Sequence, residues 1–203
     1  MAGDADSIRT GRVRAATIED ARAVSEIYAP YVAETVISFE INPPDEAEMA
    51  RRIAAVTPCY PWLIYELDDQ LLGYAYASRH AERAAYDWSV DAAVYVRPRA
   101  HRHGVGATLY GVLMAALRLQ GFHIVFGGIS LPNPASVGLH EACGFSAAGV
   151  CREVGFKFGA WRDVGWWSLR LGPAQSDPPP PSPFTAELLE QAKRLAAARR
   201  DQE

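Results

Sequence analysis

The stretch RPRAHRHGVGATLYGVL, from Arg97 to Leu113, sets basic and potentially basic side chains and two glycines directly before an apolar-periodic helix. The first turn of a helix leaves N–H groups without intrahelical partners, and its dipole favours negative charge there. Gly104 and Gly106 flank Val105, so N–H groups from Arg102 to Ala107 can converge on a diphosphate. Arg102, and His103 when protonated, add charge. Three anion-binding patterns compete for such a loop. The Walker A pattern, GxxxxGK[ST], is absent. The dinucleotide fingerprint, GxGxxG, fails because Leu109 stands at its third glycine. The pattern (Gln/Arg)-x-x-Gly-x-(Gly/Ala) fits His101-Arg102-His103-Gly104-Val105-Gly106 except at its first position. An ordinary strand-to-helix loop accounts for the same glycines, so the rest of the chain must decide.

The elements that position this loop follow from periodicity. VRAA (13–16) reads as a strand, and Thr17 as a helix N-cap with Asp20 in capping-box position. That helix carries Ala21, Val24, Ile27, Tyr28 and Tyr31 on one face, and PPDEAEMARRIAAV opens a second. WLIYEL and LLGYAYAS form a hairpin across Asp68-Asp69, and YDWSVDAAVYV (86–96) is a strand stopped by Pro98. The helix after the loop ends at Gly121. HIVFGGIS (123–130) is a buried strand, NPASVGLHEACGF a short helix closed by Gly144, and VGFKFGAWRDVGWWSLRL a strand pair joined at Lys157–Gly159. This order predicts an α+β (mixed α/β) domain over residues 12–171. Residues 1–11 read as a flexible arm and 172–183 (GPAQSDPPPPSP) as a Pro-rich linker. Residues 184–203 read as an amphipathic C-terminal helix, whose removal is expected to leave the domain intact.

With 203 residues and a formal net charge of -4, the chain suits one soluble domain, and no basic excess points to nucleic acid. No apolar run approaches the roughly 18 residues of a membrane span, and no signal-peptide pattern opens the chain. Cys59, Cys143 and Cys151 are odd in number with no CxxC, which argues against a disulfide framework and fits a reducing cytoplasm. Cys143 and Cys151 read as core thiols. His101 and His103 lack a third ligand, so no metal site is expected.

The third loop pattern is that of the coenzyme A diphosphate loop of the GNAT acetyltransferase superfamily. Its members also carry Asn-x-x-(Ala/Ser) before a short helix that ends at Gly-Phe or Gly-Tyr. Here Asn133, Ser136, His140, Gly144 and Phe145 stand in those places. More narrowly, the chain resembles the phosphinothricin N-acetyltransferase group. The shared stretches are YPWL (60–63), AYDW (85–88), VYV (94–96), GVGATLY (104–110), LPNPAS (131–136), LHEACGF (139–145) and GFKFGAWRDVGWW (155–167). The resemblance covers about residues 12–171, with these stretches in order.

The resemblance implies the GNAT fold: a twisted, mixed, mostly antiparallel sheet flanked by helices. It also implies acetyl-CoA as cosubstrate, with its diphosphate on Arg102, His103, Gly104, Val105, Gly106 and Ala107. The pantetheine arm would pair with Val94, Tyr95 and Val96 as one strand adds to another. An N–H near Val96 would face the thioester oxygen. Asn133 and Ser136 would hold the pantetheine amides, although Asn133 equally suits a turn before Pro134.

In the resembling enzymes a glutamate stands four residues before the Tyr of VYV. Asp91 occupies that place here and is the expected general base, acting through a water; a solvent-facing strand carboxylate is the alternative. His140 is the expected proton donor or relay at the departing thiolate; a helix histidine bonded to backbone is the alternative. Arg83 matches an arginine of the group and would hold an acidic acceptor, with Phe39, Trp62, Tyr86 and Trp88 as walls. The group's members are dimers, so Lys157 could serve the partner's site. The implied reaction is acetyl transfer to the α-amine of a small amino-acid-like acceptor. Another amine (an aminoglycoside, a polyamine or a protein N-terminus) and a non-catalytic acyl-CoA sensor are the other readings.

Overall fold

Seven strands pair in the order β1-β2-β3-β4-β5-β7-β6. They are β1 (Arg12–Ala15), β2 (Trp62–Leu67), β3 (Gln70–Arg79), β4 (Ser89–Val96), β5 (Ile124–Leu131), β6 (Ser146–Lys157) and β7 (Ala160–Arg170). This computed structural model describes residues 11–200, so residues 1–10 of the expected arm lie outside the described residues. All neighbouring strands run antiparallel except β4 and β5. The mixed, mostly antiparallel sheet expected from the sequence is the one observed.

Alternation along the strands makes two cores. Trp62 and Ile64 of β2 face α1 (Ala21–Glu34) and α2 (Glu46–Val56). Leu63 and Tyr65 face α3 (Val105–Gln120) and α5 (Ala186–Arg200). The short α4 (Pro134–Ala142) follows β5. The start of α1 uses the predicted cap: the Asp20 carboxylate accepts the Thr17 N–H at 2.8 Å, and Arg14 forks onto the same carboxylate at 2.7 and 2.6 Å.

Three sequence expectations are corrected. The strand expected from Tyr86 starts at Ser89, because Ala84–Tyr86 close a tight turn through Tyr86 N–H to Arg83 C=O (2.9 Å). Cys151 is exposed rather than core, because β6 is the sheet's edge strand and most of it is open to solvent; Cys143 is half-buried. The segment after residue 172, expected to stand apart from the domain, is docked on it. Leu189, Ala192 and Ala196 of α5 are buried in the core that holds Leu109 and Leu113 of α3. The Pro-rich stretch is fastened by its backbone: Trp88 Nε1 donates to Pro179 C=O (2.8 Å) and Gln120 Nε2 to Ser182 C=O (2.8 Å).

The parallel pairing of β4 with β5 covers only Ser89↔Ile124, Val90↔Val125 and Asp91↔Phe126. Beyond Asp91 the strands separate, although β4 remains paired with β3 to Val96. This gap is what the fold offers a ligand.

Candidate functional site

The gap exposes one edge of β4. Arg97 N–H bonds Leu72 C=O across to β3 (2.8 Å), so by strand alternation Val94 and Val96 turn their N–H groups toward the opposite, open edge. Tyr95 instead faces α1, edge-on to Tyr28 and Tyr31 (4.8 and 5.2 Å between ring centroids). The end of β4 is fixed from α1: the Tyr31 hydroxyl donates to Val96 C=O (2.6 Å). His101 lies 2.9 Å from both groups and donates to them as its Nε2–H tautomer. This gives the off-pattern His101 a role in holding the strand end that leads into the loop.

The loop then enters α3. Thr108 N–H makes the helix's first bond, to Gly104 C=O (2.9 Å), so the N–H groups of Val105, Gly106 and Ala107 stand ahead of the intrahelical ladder. The two glycines serve different needs. Gly104 caps the helix at φ 82°, a left-handed conformation that a side chain resists, with open space around it. Gly106 is needed for room: a Cβ there would lie 3.1 Å from the Leu139 side chain of α4 and 3.9 Å from Val96. It therefore lets the head of α3 pack closely on Leu139, besides admitting an anion to the backbone. Arg102 also adopts a left-handed φ (67°), and Arg102 and His103 flank the helix start.

At the apex of the gap stands Asp91. Its Oδ1 accepts from His80 Nδ1 at 2.7 Å. Burial pushes the carboxyl above the usual aspartate range, and the His80 contact pulls it part of the way back. His80 lies flat on Phe126 (4.5 Å, 22°) and edge-on to Tyr86 and Trp166 (6.0 and 6.2 Å). Nothing in the sequence marked His80, because only the register Ser78↔Asp91 brings it to the carboxylate.

His140 is placed by α4 on the other side of β5, against Gly127, and is only 4% exposed. Its Nδ1–H donates to Ser136 C=O (2.8 Å), and its Nε2 accepts from the Tyr110 hydroxyl (3.1 Å). Burial holds its pKa below the ordinary histidine value. Both ring nitrogens are thus engaged, which is the geometry of the backbone-bonded alternative. Asn133 caps α4, its Oδ1 accepting Ser136 N–H (3.1 Å). Its amide N–H groups make no bond to the described residues.

On the Asp91 face a pocket of about 430 Å³ is lined by Tyr28, Phe39, Glu40, Tyr95, Ser130 and Trp166, among others. The loop that carries Phe39 is pinned from three sides. Tyr28 bonds Ser38 (2.7 Å), Arg52 forks onto Glu40 (2.7 and 3.0 Å), and Lys157 Nζ donates to the carbonyls of Val32 and Ser38 (2.6 and 2.8 Å). The Arg52 fork holds the Glu40 carboxyl below its usual range. Lys157 is therefore buried against its own chain, which corrects its expected service to a partner's site. Trp62 is 3% exposed and stacked on Tyr76 (4.4 Å) in the second core, where it also lines a separate pocket with Tyr28, Arg52 and Tyr76. Tyr86 is exposed beside His80, and Arg83, three residues earlier, is exposed with no ion-pair partner among the described residues. No group of three or more His, Cys, Asp or Glu gathers among the described residues.

The family model described as "Acetyltransferase (GNAT) domain" matches residues 13–166. A phosphinothricin N-acetyltransferase of Streptomyces viridochromogenes is 40% identical over 159 residues, which is 78% of this chain and 87% of the relative. An L-methionine sulfoximine/L-methionine sulfone acetyltransferase of Pseudomonas paraeruginosa is 32% identical over 168 residues, covering 82% and 98%. The crystal structure of a GNAT superfamily phosphinothricin acetyltransferase from Sinorhizobium meliloti in complex with AcCoA superimposes with TM-score 0.79 at 33% identity, covering 87% of this chain and 95% of that one. The splayed β4–β5 pair, the glycine loop at the head of α3 and the match over most of the domain agree: the chain belongs to the GNAT acetyltransferase family.

Proposed function

We propose that the protein transfers the acetyl group of acetyl-CoA to the α-amine of a small amino-acid-like acceptor of the phosphinothricin or methionine sulfoximine/sulfone type. The observation that carries this reading is the single open edge of β4. It runs from the carboxylate Asp91, past the N–H groups of Val94 and Val96, to the N–H groups that precede the intrahelical ladder at the start of α3. A pantetheine arm fits along that edge as a strand would. Its diphosphate falls at the helix start beside Arg102 and His103, and Asn133 has amide N–H groups free for its amides. A Val94 or Val96 N–H meets the charge that develops on the thioester oxygen. The acceptor amine then enters from the Asp91 face, between Phe39, Tyr86 and Trp166, with Arg83 for its acidic group. There it loses a proton at the Asp91 carboxylate site and attacks the thioester carbonyl. A homodimer and a cytoplasmic setting belong to the same proposal. Val150, Val154, Phe156 and Phe158 on the edge strand and its turn, with Trp161 at the start of β7, leave an exposed apolar band that suits a second copy, and none of Cys59, Cys143 and Cys151 forms a disulfide.

The direct test is release of free CoA from acetyl-CoA with a panel of amines, with the product identified by its mass. Acidic amino-acid analogues should be the best acceptors. Arg83→Ala should then raise the acceptor KM by roughly ten- to a hundredfold, the worth of a charged hydrogen bond, with the KM for acetyl-CoA unchanged. Equal effects on both substrates would make Arg83 a structural residue.

Gly106→Val tests the other end. Its methyl groups would occupy the space between Val96 and Leu139. The Kd for acetyl-CoA, measured by calorimetry, should rise by about tenfold or more, a loss of about 1.4 kcal/mol. An unchanged affinity would remove this part of the gap from the cosubstrate path.

A further inference from the structure

We propose that His80 is the group that takes the proton from the acceptor amine, and that Asp91 orients its ring and balances its charge. This rests on the acetyl-transfer reading and names the atom at which that reaction's proton is accepted. An ionised carboxylate only accepts hydrogen bonds, so the 2.7 Å contact with Asp91 Oδ1 places a proton on His80 Nδ1. The lone pair is then on Nε2, which has no partner among the described residues.

The ring is held for the task. Phe126 supports one face at 4.5 Å, while Tyr86 and Trp166 meet it edge-on. Phe126 and Asp91 are also the last residues paired across β4 and β5, so the His80–Asp91 pair stands where the strands part. Trp166, which meets the His80 ring, also lines the pocket bounded by Phe39, Glu40 and Tyr95, so one side chain touches both the pair and that pocket. Asp91, by contrast, already has an oxygen committed to His80.

Among the described residues, β4 brings Asp91 to His80 and the turn 84–86 brings Tyr86, while β5 and β7 bring the uncharged rings of Phe126 and Trp166. The adjacent Arg79 is engaged with Asp87 at 3.0 Å. Imidazole is the side chain best matched to proton transfer near neutral pH.

The step balances. The acceptor ammonium gives one proton to Nε2, and its nitrogen forms the bond to the thioester carbonyl carbon as the C–S bond breaks. The nitrogen's second proton goes to the departing sulfur, and the imidazolium returns its proton to solvent. The products are the amide, the free thiol and one proton.

Two variants test this. In His80→Gln an amide can still donate to Asp91 but cannot take up a proton. Its kcat should fall about 10²-fold or more, with the acetyl-CoA Kd at the wild-type value and a rate that climbs with pH as more acceptor amine becomes neutral. His80→Ala should fall similarly, and added imidazole should restore part of its turnover. A role in positioning alone predicts neither the pH response nor the rescue. If His80→Gln keeps wild-type kcat and pH profile from pH 6 to 9 while the wild type is active, His80 is not the base and Asp91 acts without it. If the wild type releases no CoA with any amine, the acetyl-transfer reading itself falls.

Discussion

Replacing Asp91 by Asn should lower kcat by about 10²–10⁴-fold near pH 7, the usual cost of losing general base assistance, and leave the Kd for acetyl-CoA unchanged. The separation of effects follows from position. Asp91 ends the paired part of β4, while the edge offered to the cosubstrate begins beyond it, at Val94 and Val96. The size follows from what the carboxylate does for His80. Asp91 accepts the Nδ1 proton at 2.7 Å and so leaves Nε2 basic. An asparagine amide can donate to Nδ1 instead, which shifts the ring proton to Nε2, where the acceptor's proton must go. Raising the pH should recover part of the activity, because more of the acceptor is then neutral without help. Asp91→Glu keeps the charge but is one methylene longer; it should retain activity, with the carboxylate taking the proton itself where it displaces the ring. Unchanged kcat for Asp91→Asn from pH 6 to 9 would remove this carboxylate from the chemistry and leave deprotonation to His80 without its partner or to solvent.

What could be read from the sequence was what is local. The glycine loop, the strand that ends in VYV and the helix capped by Asn133 are each set by residues within a few positions of one another, so turn, cap and period rules reach them. His80 was invisible because it follows β3 and meets Asp91 only through the β3–β4 register. Lys157 was misread for the same reason. Its carbonyl partners, Val32 and Ser38, lie more than a hundred positions away. His140 shows a different limit. Residue type admits both a proton donor and a backbone-bonded helix histidine, and its partners, Ser136 C=O and Tyr110, are set by the packing of two helices. Val150 and Cys151 look like core residues by composition, yet β6 forms the sheet edge and leaves them exposed.

Ending the chain after Gly172 should destabilise the domain, with thermal unfolding lowered by roughly 10 °C or more. The proline run suggests a tether, since it supports neither helix nor sheet. It nevertheless supplies carbonyls, and two side chains use them: Trp88, just before β4, bonds Pro179, and Gln120, at the end of α3, bonds Ser182. Gln120 is 2% exposed, so truncation leaves it a buried amide with one fewer acceptor. Each such bond is worth about 1 kcal/mol. The larger loss is apolar. Leu189, Ala192 and Ala196 repeat at helical spacing, and the small residues let α5 approach α3 closely enough that a Cβ on Gly111 would meet Ala196 at 3.9 Å. Burial of one leucine contributes about 1.5–3 kcal/mol, and the α3 surface under the helix loses its cover as well. A total of about 3–6 kcal/mol is expected from these terms, and in a domain of this size each kcal/mol moves the midpoint by roughly 2–4 °C. Ala192→Glu in the full-length chain is the companion measurement, because it charges the buried helix face while keeping every backbone contact of the linker. If both proteins melt with the wild type, α5 is an appendage that adds no stability. If only the truncation is destabilised, the proline segment rather than the helix holds the domain closed. Loss in both places α5 within the core, where it supports the helix whose first turn forms the loop between Arg102 and Ala107.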